Sequence, residues 1–303
     1  MSQPRLGPIE WACLILLSIL WGGTFLFAKI ALSEVPPLTV VFARLVIASL
    51  ALYLIGRALG LLTGPRPSWR AFVALGLLNN VVPFSLIFWG QTQISVGLAS
   101  ILNATTPIFS VIVAHLMTQD EKLTALRAIG VTVGIAGVVA MIGLDALSSL
   151  GSSLPHQMAV LVAALSYGLA GVYSRRFKGA QPMTIATGQL TVSSLMLAPL
   201  CMLIDQPWTL SMPSGKVLLC LIALGLFSTA LAYFLYFRIL TASGATNAAL
   251  VTFLIPVSAL SLGTVFLDER IGGAQLFGMA LIALGLSLLD GRLWRRTAGQ
   301  PRA

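Results

Sequence analysis

The sequence predicts an all-α integral membrane protein: ten transmembrane helices arranged as two inverted five-helix repeats around a central cavity, with both termini cytoplasmic. Three observations lead there. With 57% hydrophobic and 9% charged residues over 303 positions, the chain has far more apolar surface than a soluble globule of this length can bury. Apolar runs of about 20 residues, the length that crosses a hydrocarbon core, recur ten times. The chain also repeats itself. Residues 99–121, ASILNATTPIFSVIVAHLMTQDE, return in altered form as residues 248–269, AALVTFLIPVSALSLGTVFLDE.

Setting Pro107 on Pro256 also sets Ala99 on Ala248, Ile101 on Leu250, Gly76 on Gly225, Asn79 on Ser228 and Phe84 on Tyr233. The register then slips by one residue, after which Glu121 falls on Glu269, Gly130 on Gly278 and Gly137 on Gly285. Duplication inside a membrane protein points to transport.

Taken in order, the first run, 11–32, is longer than the apolar core of a signal peptide and lacks a clear small-residue cleavage site, so it is expected to be the first span. It carries Trp21 at mid-depth and Lys29 near its outer end. The second run, 38–56, holds Arg44 several residues inside. The third, 71–91, offers Asn79 and Asn80, then Pro83 and Phe84. In the fourth, 97–118, Ser100, Asn103, Pro107 and Ser110 fall at helical spacing on one stripe, with His115 near the inner end. The fifth, 124–143, has small faces at Gly130, Gly134 and Gly137 that suit close helix contact.

The longest link, 144–156, is rich in Ser, Gly and Leu and separates the copies. A boundary near Ser149 gives repeats 1–148 and 149–303. The sixth run, 157–174, sets Tyr167 and Gly168 where the first has Trp21 and Gly22. After 183–203 comes 217–238, where Ser228, Thr229, Tyr233 and Tyr236 answer the third run. The ninth, 246–267, carries Thr252 and Pro256. The tenth, 271–289, repeats the small face with Gly278 and Gly285.

Lysine and arginine set the orientation. With the N-terminus inside, the inner side collects Arg5, Arg57, Arg66, Arg70, Lys122, Arg127, Arg175, Arg176, Lys178, Arg238, Arg292, Arg295, Arg296 and Arg302. The outer side holds only Lys216 and Arg270, a bias that places both termini inside. Five spans per copy then force the second copy upside-down. Trp11, Trp69 and Trp294 fall at inner ends and Trp208 at an outer link, as interfacial aromatics should. The net charge of +9 is scattered between hydrophobic runs, which fits topology and not nucleic acid. Cys13, Cys201 and Cys220 lie inside apolar runs, so no disulfide framework, metal site or cofactor is expected.

Proline within a helix frees a carbonyl that needs another partner in lipid, so Pro83, Pro107 and Pro256 are expected to kink their helices next to protein or water. Pro107 and Pro256 are the candidate gating hinges; improved packing is the alternative. An unpaired amide costs several kcal/mol in hydrocarbon, which turns Asn79, Asn80 and Asn103 toward the bundle or a cavity. With Ser228 and Thr252 they form the candidate solute surface, against which interhelical hydrogen bonding is the structural alternative. Trp21, Phe84, Tyr167 and Tyr233 supply apolar contact to an amphipathic or aromatic solute.

Arg44 is a candidate contact for a solute carboxylate, or closes off exposed carbonyls. Lys29 is expected to snorkel. His115 is a candidate coupling site, with a local hydrogen bond the competing reading. No acidic residue lies at mid-membrane, which speaks against coupling through a buried carboxylate. Glu121 and Glu269 each precede a helix and are expected to favour its N-terminus.

The runs FSLIFWGQTQISVGLASILNATTPIFSVIVAHL and AYFLYFRILTASGATNAALVTFLIPVSAL, each leading to an acidic residue and a glycine-bearing helix, resemble EamA-type members of the drug/metabolite transporter superfamily. So does the opening LWGGTFLFAKIAL, followed by a proline pair and Phe42-Ala43-Arg44. Asp120 and Asp268 stand where that family usually has Gly. The resemblance implies ten helices around a central cavity and, in many members, export of amino acids or related metabolites.

The expectation is therefore a multi-pass transporter of the bacterial inner membrane, surrounded by lipid, that exports small amphipathic metabolites, foremost neutral or aromatic amino acids. It is expected to act as a monomer or homodimer without nucleic acid. A nucleotide-sugar or phosphorylated-metabolite carrier of the same superfamily is the nearest alternative, yet such anions want several buried cations. A lipid-modifying membrane enzyme is the alternative from another class, and His115 and His156 fall on opposite sides, so no cluster for it is visible. Ser214-Gly215-Lys216-Val217 lacks the upstream glycine and the Ser/Thr of a phosphate loop, which leaves ATP-driven pumping unsupported.

Overall fold

Long apolar runs satisfy their backbone in lipid only by coiling into helices, and the described residues do so from end to end. The computed structural model describes residues 7–63, 67–119, 123–142, 153–270 and 272–290. The boundary near Ser149, the residues Asp120, Glu121 and Lys122, the basic Arg5, Arg66, Arg292, Arg295, Arg296 and Arg302, and Trp294 lie outside the described residues.

The helices are α1 (Pro8–Ala31), α2 (Pro37–Ala58), α3 (Trp69–Gln91), α4 (Val96–Met117), α5 (Ala125–Ile142), α6 (Leu154–Phe177), α7 (Pro182–Ile204), α8 (Gly215–Ser243), α9 (Val251–Leu267) and α10 (Gly273–Asp290). Seven of them are long and apolar enough to cross a membrane; α5, α9 and α10 are shorter apolar helices. Their starts follow local chemistry. Proline opens α1, α2, α6 and α7, where its missing N–H has no intrahelical partner to lose. The hydroxyls of Ser68, Ser95 and Ser214 cap α3, α4 and α8 by accepting from Ala71, Leu98 and Val217 N–H.

Helices α3 and α8 each widen into a π turn, at Leu77–Val81 and Leu226–Leu231. Under the register that sets Pro107 on Pro256, Leu77 falls on Leu226, so the π turn is duplicated with the sequence. Neither turn carries a signal that periodicity reveals.

The prolines behave differently from expectation. Helix α4 is interrupted at residues 104–105, and Pro107 sits in the first turn of its second half, Thr106–Met117. The Asn103 carbonyl that Pro107 leaves without an amide accepts the Thr106 hydroxyl at 2.7 Å. Pro83 likewise opens the helix that follows the π turn. Of these three, only Pro256 lies inside a continuous helix, as Pro199 does in α7, with the chain turning upstream at residues 249–250. The stripe expected along α4 is therefore broken, and both of its hydroxyls stay on their own helix: Ser100 donates to Gly97 and Ser110 to Thr106 carbonyls.

Packing joins the two copies throughout. Helix α1 packs on α8 and α9 as α6 packs on α3 and α4; α2 lies against α7 and α8 as α7 lies against α2 and α3; α4 meets α9 and α5 meets α10. Exchanging each helix for its counterpart five places on returns the same set, so the contacts obey an approximate twofold relation. The glycines agree in detail. A Cβ at Gly22 would meet Ser258 Cβ and Ala259 N at 2.8 and 2.9 Å, and one at Gly168 would meet Phe109 C and Ser110 N at 3.1 Å. Phe109 and Ser110 are the counterparts of Ser258 and Ala259. The small faces of α5 and α10 pack on one another, with Gly137 against the Gly278 carbonyl and Gly285 against that of Gly130. Leu195, Leu203, Leu219 and Phe277 project outward, an apolar exterior suited to lipid.

Links pair only within one end of the bundle among the described residues. At the end bearing the α1–α2, α3–α4, α7–α8 and α9–α10 links, Thr39 N donates to Asp205, Ser214 donates to Glu34, and Trp89 stacks on His156. The Ser214 N–H and hydroxyl hold the exposed Glu34 carboxyl below its ordinary range. At the other end Thr184 reaches the Thr63 carbonyl and Phe72 packs on Phe177.

Candidate functional site

The two π turns and the α2–α7 contact converge on a polar cluster inside the bundle. From α2, Arg44 is buried at 5% exposure, and its Nε donates to Thr229 Oγ1 in the π turn of α8 at 2.8 Å. Its guanidinium lies 4.0 Å from the centre of the Phe84 ring and 5.7 Å from that of Phe88, both on α3. From α7, Gln189 accepts the Asn79 amide at 3.1 Å and donates to the Tyr233 hydroxyl at 3.4 Å. Asn80 donates to Ser193, which in turn donates to the Gln189 carbonyl. Tyr167 and Tyr233 pack against the same core as Phe84 and Phe88.

A π turn carries one residue too many per turn, so carbonyls lose their regular partners and side chains fill in. Thr229 Oγ1 donates to the Leu224 carbonyl, and Ser166 Oγ donates to the Leu78 carbonyl of the other turn. Asn80 Oδ1, Asn103 Oδ1 and Ser228 Oγ are among eight buried side-chain oxygens that have no hydrogen-bond partner among the described residues.

Of the residues singled out from sequence, Arg44, Asn79, Asn80, Phe84, Tyr167 and Tyr233 thus fall together, with Ser228 in the adjoining π turn. Trp21 does not meet Tyr167. It faces Tyr236 at 5.6 Å, and joins Tyr233 only through the ring series Tyr236, Phe237, Tyr233. Thr252 and Pro256 instead line an apolar cavity of about 150 Å³ with Ile101, Met279 and Leu286. Asn103 marks the break in α4. His115 Nδ1 accepts the Leu123 amide at 3.2 Å in the α4–α5 link, a local bond.

Helices α2 and α7 supply Arg44, Gln189 and Ser193 to the cluster. The expected central cavity is filled in this conformation, because Asn80, Gln189 and Thr229 are 0%, 4% and 1% exposed and hydrogen bonds close the centre. A second cavity of about 150 Å³ lies nearer one end, between Ser110, Ala114, Gly168 and Arg175. Both volumes are below the roughly 300 Å³ at which small-molecule pockets begin.

A separate charged junction closes the opposite end. Glu269 accepts the Val96 and Gly97 amides at 2.7 and 3.1 Å, so it caps α4 of the other copy and not α10, which it precedes. Lys29 does not snorkel away. Its ammonium donates to the Gln91 and Ile94 carbonyls at the end of α3, where Gln91 in turn donates to the Phe25 carbonyl.

A bundle whose two copies pack extensively on one another, apolar outside and with a polar and aromatic cluster within, has the make-up of a multi-pass membrane protein. The pattern of the EamA-like transporter family matches residues 9–143 and again residues 155–289. The chain belongs to that family, and it is a transporter family. Similar proteins include an uncharacterized transporter, YoaV, of Bacillus subtilis, 26% identical over 90% of this chain and 94% of its own length. A probable amino-acid metabolite efflux pump of Escherichia coli is 24% identical over 93% and 95%. A solved crystal structure, 21% identical, covers 96% of this chain and 99% of that one with a TM-score of 0.68, which agrees on the fold.

Proposed function

We propose that the protein is a secondary transporter of the bacterial inner membrane that exports small amphipathic metabolites, foremost neutral or aromatic amino acids, by alternating access. All ten helices cross the membrane, five in each copy; the copies run in opposite directions and both termini face the cytoplasm. The pairing of links within each end of the bundle supports this arrangement, and so does the charge bias of the sequence. The solute binds where Asn79, Asn80 and Ser228 offer hydrogen bonds and Phe84, Tyr167 and Tyr233 offer apolar contact, with Gln189 and Arg44 added from α7 and α2. Trp21, Asn103 and Thr252 line the route to that point. Pro107 and Pro256 let α4 and α9 move as gates, and His115 adjusts with the α4–α5 link. The protein works as a monomer or as a homodimer.

The single observation that carries this reading is the buried cluster around Arg44 and Gln189, formed where the two copies cross. The name of the E. coli relative, an amino-acid metabolite efflux pump, points in the same direction. The rival solutes, nucleotide sugars and phosphorylated metabolites, would meet one buried cation there, too few for a dianion. Counterflow of labelled amino acids into liposomes holding the purified protein tests the reading. Saturable exchange is expected; no exchange by folded protein across a broad metabolite panel would refute it.

A further inference from the structure

We infer that Arg44 receives the carboxylate of the transported solute, and that this solute is an aromatic monocarboxylate whose ammonium group, where present, is not required. The inference rests on the carrier reading above and names its solute class. Arg44 is buried with a single hydrogen-bond acceptor, Thr229 Oγ1, on its Nε. Its two terminal amino groups meet no acceptor among the described residues. Helices α2, α3, α6, α7 and α8, which surround it, contain no Asp or Glu at all.

A buried arginine without an anion carries a large desolvation cost. The faces of Phe84 and Phe88 offset part of it, because a cation over a ring is stabilised most where water is excluded. What remains is a planar fork of donors whose geometry matches a carboxylate. The rings that flank it, with Tyr233 and Phe237 stacked beyond, suit an aromatic group attached to that carboxylate. One positive charge neutralises a monoanion and leaves a phosphate dianion half-paired. An ammonium group finds no carboxylate here, only neutral acceptors such as Asn80 Oδ1 and Ser228 Oγ, so it adds little.

The test compares phenylalanine, phenylalaninamide and 3-phenylpropanoate as competitors of counterflow and as ligands that raise the melting temperature of the purified protein. Phenylalanine and 3-phenylpropanoate are expected to compete and stabilise, and the amide to do neither. Arg44→Gln, which removes a buried charge and leaves an amide N–H donor in its place, is expected to weaken both acids on the order of 100-fold. Arg44→Lys is expected to recover part of that loss, with both variants checked for cooperative unfolding. If the amide competed as well as the acids, or if Arg44→Gln kept the preference for acid over amide, the inference would fall and the carrier reading would stand. If none of the three bound while other metabolites exchanged, the aromatic monocarboxylate would be wrong. Absence of exchange for every metabolite would sink the carrier reading itself.

Discussion

Gln189 holds two elements at once, taking the Asn79 amide on its oxygen and giving its nitrogen to Tyr233. Replacing it by leucine, similar in size, leaves the half-buried Asn79 amide without its acceptor beside the buried 189 position. A buried polar group that loses its partner costs about 1–3 kcal/mol. Gln189→Leu is therefore expected to lower the melting temperature in detergent and to raise KM for the solute more than it lowers the maximal rate. An unchanged KM would remove Gln189 from the site. Residues of this kind were legible because a polar group inside an apolar run has to find a partner. Asn79, Asn80 and Asn103 stand out on that ground, Arg44 as an ionisable residue inside a span and Tyr233 as an aromatic one. The same ground holds for Gln189 and Ser193 in the stretch TGQLTVSS, whose polar residues carry the same signal. The neighbours of Trp21 and Thr252 could not be read, because a position along a helix says nothing about which neighbour that helix turns toward.

Among elements, the helix limits and the duplication follow from apolar length and from repeated proline, glycine and acidic positions, and the packing of Gly22 and Gly168 on counterpart residues depends on the register being right. The π turns could not be read, since the sequences LLNNV and LFSTAL share no special residue and only the first is followed by proline. The roles of Pro107 and Glu269 were also hidden: Pro107 starts a half-helix, and Glu269 caps a helix far away in sequence. The α5–α10 contact gives the sharpest prediction at this scale. A side chain at Gly137 would meet the Gly278 carbonyl at 2.7 Å and Ile282 N at 2.8 Å, both backbone atoms that cannot swing aside. Gly137→Val is expected to destabilise the protein by about 1–3 kcal/mol through overpacking. In a thermal unfolding series it should fall well below Gly171→Val, where a Cβ meets nothing within 4 Å. Equal stability of the two variants would contradict the packing described.

For the whole molecule, the approximate twofold relation means that motions available at one end have counterparts at the other. In this conformation Glu269 and Lys29 tie one end together while the centre is packed around Arg44. The account requires the same cluster to open in turn to each side, and the proposed five spans in each copy would make the two openings nearly equivalent. The most direct measurement places a single cysteine at Asn79 in a chain lacking Cys13, Cys201 and Cys220. It follows labelling by a membrane-impermeant thiol reagent in right-side-out and inside-out vesicles. The account predicts labelling from both sides, slowed on both by a saturating transported solute. Labelling from one side only, with or without solute, would contradict alternating access to this site.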